Sequence, residues 1–133
     1  VRYSNGAIGL LFLLSGCSES HNLTINDIES SFTKAGVKYT EQLGPSEVKK
    51  SVVYNGTAPA LILHTDEDLR EEGLKVYLYT SDDERKKGLE QFQEEQSKDL
   101  TYGMKETAMY VHNAMFVSFS YTEEEWAAIK KLK

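Results

Sequence analysis

Apolar residues recur along this chain with two different periods, and polar clusters mark where one period gives way to the other. Ile25, Ile28, Phe32 and Ala35 fall three and four apart, the spacing of one helix face. Just before them Leu23-Thr24-Ile25-Asn26-Asp27-Ile28 places Thr at the N-cap, an acid at N3, and apolar residues at N′ and N4. Asp is a weaker N3 partner than Glu, but the grammar is complete, and Gly36 suits the position after the last turn. The pattern predicts a helix over Ile25 to Ala35. Ser81-Asp82-Asp83-Glu84 reads as a full capping box opening a second helix to about Gln96. Its apolar face is thin, Leu89 and Phe92 beside Gly88, so it is expected at the surface. Thr122-Glu123-Glu124-Glu125 opens a third helix. Here Tyr121 and Trp126 are spaced as a hydrophobic staple, Ile129 and Leu132 continue the face, and Lys130, Lys131 and Lys133 complement the helix dipole.

Between these segments the period drops to two. Val37 to Leu43 alternates as a half-buried strand does, and Gly44-Pro45 ends it. Ser51 to Tyr54 is short and closes at the turn dipeptide Asn55-Gly56. Ala60 to Thr65 and Leu74 to Thr80 are apolar runs, expected to pair as an antiparallel hairpin across the polar segment 66–73. Ala108 to Tyr121 is rich in aromatic and β-branched residues but long for one strand, so a bulge or turn is expected at His112-Asn113. The order predicts an α+β fold: a two-layer sandwich of a mainly antiparallel sheet, about four to six strands, with three helices on one face. A doubly wound α/β fold would need helices between the middle strands, and the pattern has none there.

The first seventeen residues obey a different rule. Arg2, the apolar run Ala7 to Leu14 and then Leu14-Ser15-Gly16-Cys17 form a basic start, a greasy stretch and small residues before a cysteine, the three-part pattern of an export signal. The tetrapeptide resembles the lipobox of bacterial lipoproteins. The resemblance implies a signal peptide over 1–16, cleavage before Cys17, and a diacylglycerol thioether on Cys17. The competing readings are a buried N-terminal helix or strand and a membrane span, but the apolar run is far short of the ~20 residues a span needs. Cys17 is the sole cysteine, so no internal disulfide can form. Residues 17–23 then read as a tether and 24–133 as a single domain. About six residues at ~3.5 Å each reach roughly 20 Å, which holds the domain close to the bilayer and favours a membrane-proximal protein partner.

Apolar residues at 40% and charged ones at 27% are ordinary globular values, sufficient for a core without bridges or metals. The formal net charge of −6 becomes more acidic once Arg2 leaves with the signal. That sign argues against nucleic acid, whose phosphates require a basic surface, and against docking on anionic headgroups by charge.

Candidate chemistry is sparse. His64-Thr65-Asp66-Glu67-Asp68 could converge on a cation, but it fails as a calcium loop, with Arg70 at the fifth position and no glycine at the sixth. It reads better as a strand running into a solvated acidic loop. His112 and Asn113 lie inside an apolar stretch, where such a pair marks either a ligand pocket or a bend that satisfies backbone groups. His21 falls in the tether, and the three histidines lack any familiar zinc spacing, so no metal or cofactor is expected. No nucleophile elbow, S-x-x-K box, P-loop or dinucleotide fingerprint occurs. The acids of 82–84 and 123–125 are explained by helix first turns. Asn22-Leu23-Thr24 and Asn55-Gly56-Thr57 match glycosylation sequons by chance.

The eight tyrosines are the one compositional oddity. Tyr77, Tyr79, Tyr102, Tyr110 and Tyr121 lie in or beside predicted strands, where amphipathic rings suit a contact surface or a strand with one wet face. Val76-Tyr77-Leu78-Tyr79 followed by Ser81 to Phe92, and later Val111-His112-Asn113-Ala114, resemble uncharacterised small lipoproteins of Gram-positive bacilli. That resemblance supports the address and implies no activity. The expectation is a lipid-anchored extracytoplasmic binding or interaction module at the cell membrane, not an enzyme. The alternative is a small envelope hydrolase using His64 or His112 with nearby carboxylates, and a third reading is a subunit bound through a tyrosine-bearing sheet face.

Overall fold

The computed structural model describes residues 22–43, 53–65, 73–99, 103 and 105–133, with the side chains of 39–43 and 65 left aside. Along the chain these form α1 (Ile25–Lys34), β1 (Tyr39–Leu43), β2 (Leu61–Thr65), β3 (Leu74–Leu78), α2 (Asp82–Lys98), β4 (Thr107–Val111), β5 (Ala114–Ser118) and α3 (Glu123–Lys130). The strands make one five-stranded sheet in the order β1-β2-β3-β5-β4, every neighbouring pair antiparallel. This is the α+β fold expected from the pattern. β2 and β3 pair as the predicted hairpin, and β4 and β5 are separated by a two-residue turn at His112-Asn113, where His112 takes φ +52°. The chain crosses from β3 through α2 to the edge strand β4, then turns back so that β5 fills the gap beside β3.

Local chemistry explains where the helices start. Thr24 accepts from the Asp27 N–H at 3.2 Å while the Asp27 carboxylate accepts from the Thr24 N–H at 2.8 Å, so the box closes even with the shorter acid. Thr122 and Glu125 close the same box at 3.0 and 2.9 Å. At α2 only half of the expected box forms: Ser81 accepts from the Glu84 N–H, but the Glu84 carboxylate turns to Lys87 Nζ and to Asn55 Nδ2. The tertiary contact with the 54–57 turn takes the acid away from its local duty.

That turn is itself legible. Asn55 and Gly56 have φ +51° and +69°, and Tyr54 and Thr57 exchange both backbone hydrogen bonds at 3.1 Å across them. Two positive φ values are what a primed hairpin turn requires, and Asn-Gly supplies them at least cost. The strand expected over Ser51 to Tyr54 is only this isolated bridge at Tyr54, with 51 and 52 outside the described residues.

Strand alternation divides the core into two clusters. On one face Leu61, Leu63, Leu74, Val76, Ala114 and Phe116 meet Ile28 and Phe32 of α1 and Ala128 and Ile129 of α3, forming the two-layer sandwich of sheet and helices. On the other face Tyr77, Met115 and Val117 meet Tyr54, Tyr79 and Phe92. The expectation that all helices share a face is therefore corrected: α2 covers the opposite side. Its face is thin because it packs through Phe92 and, at Gly88, through an absence, since a Cβ there would overlap the Tyr79 phenol.

Around α3 the staple does not form. Trp126 is 49% exposed, lying beside Lys130 Nζ, while Glu125 is fully buried with Ala128 and Ile129. Tyr121 has a stronger commitment, donating its phenol to the Phe116 and Thr107 carbonyls and packing on the sheet, and this rotates α3 so that Glu125 faces inward.

Candidate functional site

Two buried polar side chains, Asn113 and Arg85, gather at one pole, where α1 begins, β3 passes to α2, β4 turns into β5 and α3 ends. Asn113 organises it. Its position in the tight turn buries the side chain, leaving 2% exposed. There its Oδ1 accepts from the Leu23 N–H at 2.6 Å, and its Nδ2 donates to the Leu23 carbonyl at 3.2 Å and the Tyr79 carbonyl at 2.9 Å. The Asn113 carbonyl also accepts from the Tyr79 N–H at 2.9 Å, so one residue pins the start of the domain to the sheet. Asn22 adds a bond from its Nδ2 to the Thr80 carbonyl at 2.9 Å. Of the two sequence readings of this pair, the one that satisfies backbone groups is realised.

Arg85, one turn into α2, is also buried. Its Nε donates to the His112 carbonyl at 2.8 Å, and its guanidinium lies 4.3 Å from the centroid of the Tyr110 ring. A cation held by a backbone bond is a fixed platform, so Tyr110, though 52% exposed, is held against it. Between α1 and the end of α3 lies a cleft of about 500 Å³, lined among others by Leu23, Asp27, Ser30, Lys34, Lys131 and Leu132.

The tyrosines are sorted by the fold. Tyr77 and Tyr79 are buried under α2, with Tyr79 donating to the Tyr54 carbonyl at 3.1 Å, so a tyrosine-bearing sheet face is not open for contact. Burial, with a smaller push from Tyr54, drives the Tyr79 phenol well above its usual value, and burial pushes Tyr121 up to about 12. Tyr110 is exposed and Tyr121 half-buried; Tyr102 lies outside the described residues. On α2 the exposed Glu84 is held below the usual carboxylate range by its hydrogen bonds to Lys87 and Asn55, and Lys87 is raised in turn.

His64 and His112 are not brought together. His64, next to last in β2, lies beside Gly73, and His112 sits at the other end of the sheet, about six residues or roughly 20 Å away along the strands. Among the described residues no hydrogen bond or ion pair joins His64 to a carboxylate; 66–68 of its acidic cluster lie outside them, as do His21 and Cys17. No group of three potential metal ligands occurs among the described residues, and none of their helices is long and apolar enough to cross a membrane. Sequence reasoning missed one member of the site, Arg85, and one buried ion pair at the other end of the sheet, Lys75 with Glu106. Arg85 reads as a surface charge on a polar helix, and Lys75, paired with Glu106 at 2.9 Å in the sheet, reads as one polar residue in an apolar run. Comparison with known proteins gives no match among family models, curated proteins or solved structures.

Proposed function

We propose that this chain is a membrane-anchored extracytoplasmic lipoprotein, a non-enzymatic binding or protein-interaction module held at the outer face of the cell membrane by diacylglycerol on Cys17. The observation that carries the reading is Leu14-Ser15-Gly16-Cys17 following a basic and then an apolar stretch. The place where the folded domain begins supports it. Leu23, six positions after Cys17, is fixed by both its N–H and its carbonyl to Asn113, so the tether has a firm attachment. Two acyl chains on one cysteine anchor stably where a single chain binds only marginally. A tether of this length keeps the partner within roughly 20 Å of the bilayer surface. The test is metabolic labelling with an alkyne fatty acid in cells carrying the wild-type chain or Cys17→Ala. The wild type is expected to take up label and sediment with membranes, and the variant to do neither; equal labelling of the two would remove Cys17 as the lipid site.

A further inference from the structure

The two edges of the sheet are built differently. β1 carries a register shift between Tyr39 and Glu41 and places a charged residue in the strand, two devices that discourage pairing with another chain. β4, Thr107-Ala108-Met109-Tyr110-Val111, has no charge, no proline and an unbroken five-residue register with β5. The two-residue turn makes Val111 and Ala114 a hydrogen-bonded pair, so by alternation Val111, Met109 and Thr107 direct their backbone groups to β5. Ala108 and Tyr110 direct theirs outward, and among the described residues these N–H and C=O groups have no partner. Tyr110, its ring 4.3 Å from the Arg85 guanidinium, stands on this edge as one of the few large apolar side chains left half-exposed.

We propose that β4 is a pairing edge and that its occupant is β4 of a second copy of this chain, antiparallel about a two-fold axis at Met109. The strand is self-complementary in that register. Ala108 of each copy faces Tyr110 of the other, which joins the eight outward N–H and C=O groups of the two strands, four from each, into four hydrogen bonds. The same register sets each large ring against a small side chain, with its cation platform behind it, a rigid anchor of the kind that dominates interfaces. It also brings Glu106 level with His112 of the other copy, and no like charges meet. Sliding by two residues either way sets Tyr110 on Tyr110 or Ala108 on Ala108 and leaves two hydrogen bonds within the strand. The axis runs normal to the sheet, so the α1/α3 layers of both copies, each holding a Leu23, lie on the same side, and two anchors can reach one bilayer.

The test uses the full chain in mild detergent, followed by sedimentation over a concentration series. Wild type is expected to dimerise, Tyr110→Lys to weaken the dimer by about 30-fold or more, and Thr33→Ala, on the exposed side of α1, to leave it unchanged. Circular dichroism keeps loss of the dimer distinct from loss of the fold. In the wild-type background Met109→Cys should form an intermolecular disulfide under mild oxidation and Tyr110→Cys should not, since only position 109 meets its own copy. A wild type that stays monomeric throughout, or a dimer that Tyr110→Lys leaves intact, would overturn the proposal; crosslinking at 110 in place of 109 would overturn the register.

Discussion

The two faces of the sheet are stabilised by different means. The face under α1 and α3 is mainly aliphatic, with Ile28, Phe32, Leu63, Leu74, Val76 and Phe116 packed against one another and Phe32 stacked on Phe116 at 6.1 Å. The face under α2 is aromatic and polar: Tyr54, Tyr77, Tyr79 and Phe92 share ring contacts, and Lys75 with Glu106 and the Arg85 guanidinium are buried among or beside them. Dispersion and exclusion of water hold the first, and they tolerate changes that keep volume. The second depends on each polar atom keeping its partner, because an unpaired buried charge costs far more than the pair contributes.

The sharpest way to test that contrast is to remove one residue from each face. Phe32→Ala is expected to lose about 3–5 kcal/mol through lost burial and the cavity left behind. Lys75→Met should lose a comparable ~3–5 kcal/mol for another reason, the stranded Glu106 carboxylate. Only the second should be rescued: Lys75→Met with Glu106→Leu is expected to recover most of the loss in urea midpoint. A double variant no more stable than Lys75→Met would break the comparison.

Gly88→Ala sets the faces apart by a smaller amount. On an exposed helix the change gains ~1 kcal/mol of propensity. Here the new methyl meets the Tyr79 phenol, so a net loss of ~1–3 kcal/mol is expected. A rise in melting temperature would show that α2 sits more loosely than described.

The smallest effect is alkaline. Each face buries a phenol, Tyr79 under α2 and Tyr121 against the α1/α3 cluster. A Tyr pushed up to about 12 holds its proton in the folded chain after the unfolded chain has lost its own near 10. Its contribution is therefore fully present below pH 10 and is lost as pH rises through 12, about 1 kcal/mol of it by pH 11. Tyr121→Phe should flatten the fall in stability between pH 10 and 12. An unchanged slope in urea titrations at pH 9, 10 and 11 would place the loss elsewhere, with Tyr79 the first suspect.

The site was legible in the sequence only in part. His112-Asn113 stood out because a polar pair inside an apolar run is a local signal, and the chain does turn there. That Asn113 would clasp Leu23, ninety residues away, has no local signature. Nor has the burial of Arg85, whose neighbours along α2 are acids and lysines. Glu125 closes its capping box as expected, whereas Trp126 stays half in water instead of completing a staple with Tyr121, whose phenol is taken by the Thr107 and Phe116 carbonyls.

By itself, then, the sequence determined the kinds of element, their caps and their turns: Thr24 with Asp27, Thr122 with Glu125, Asn55-Gly56, and the alternation that makes strands. These are set within a few residues, by spacing and by side chains that reach their own backbone. The tertiary structure alone decided which side of the sheet α2 would cover, that Tyr77 and Tyr79 would be buried while Tyr110 stayed exposed, and which strands would stand at the edges. Those outcomes depend on what each face meets across the fold, and burial is fixed by the neighbour that arrives rather than by the residue that waits for it.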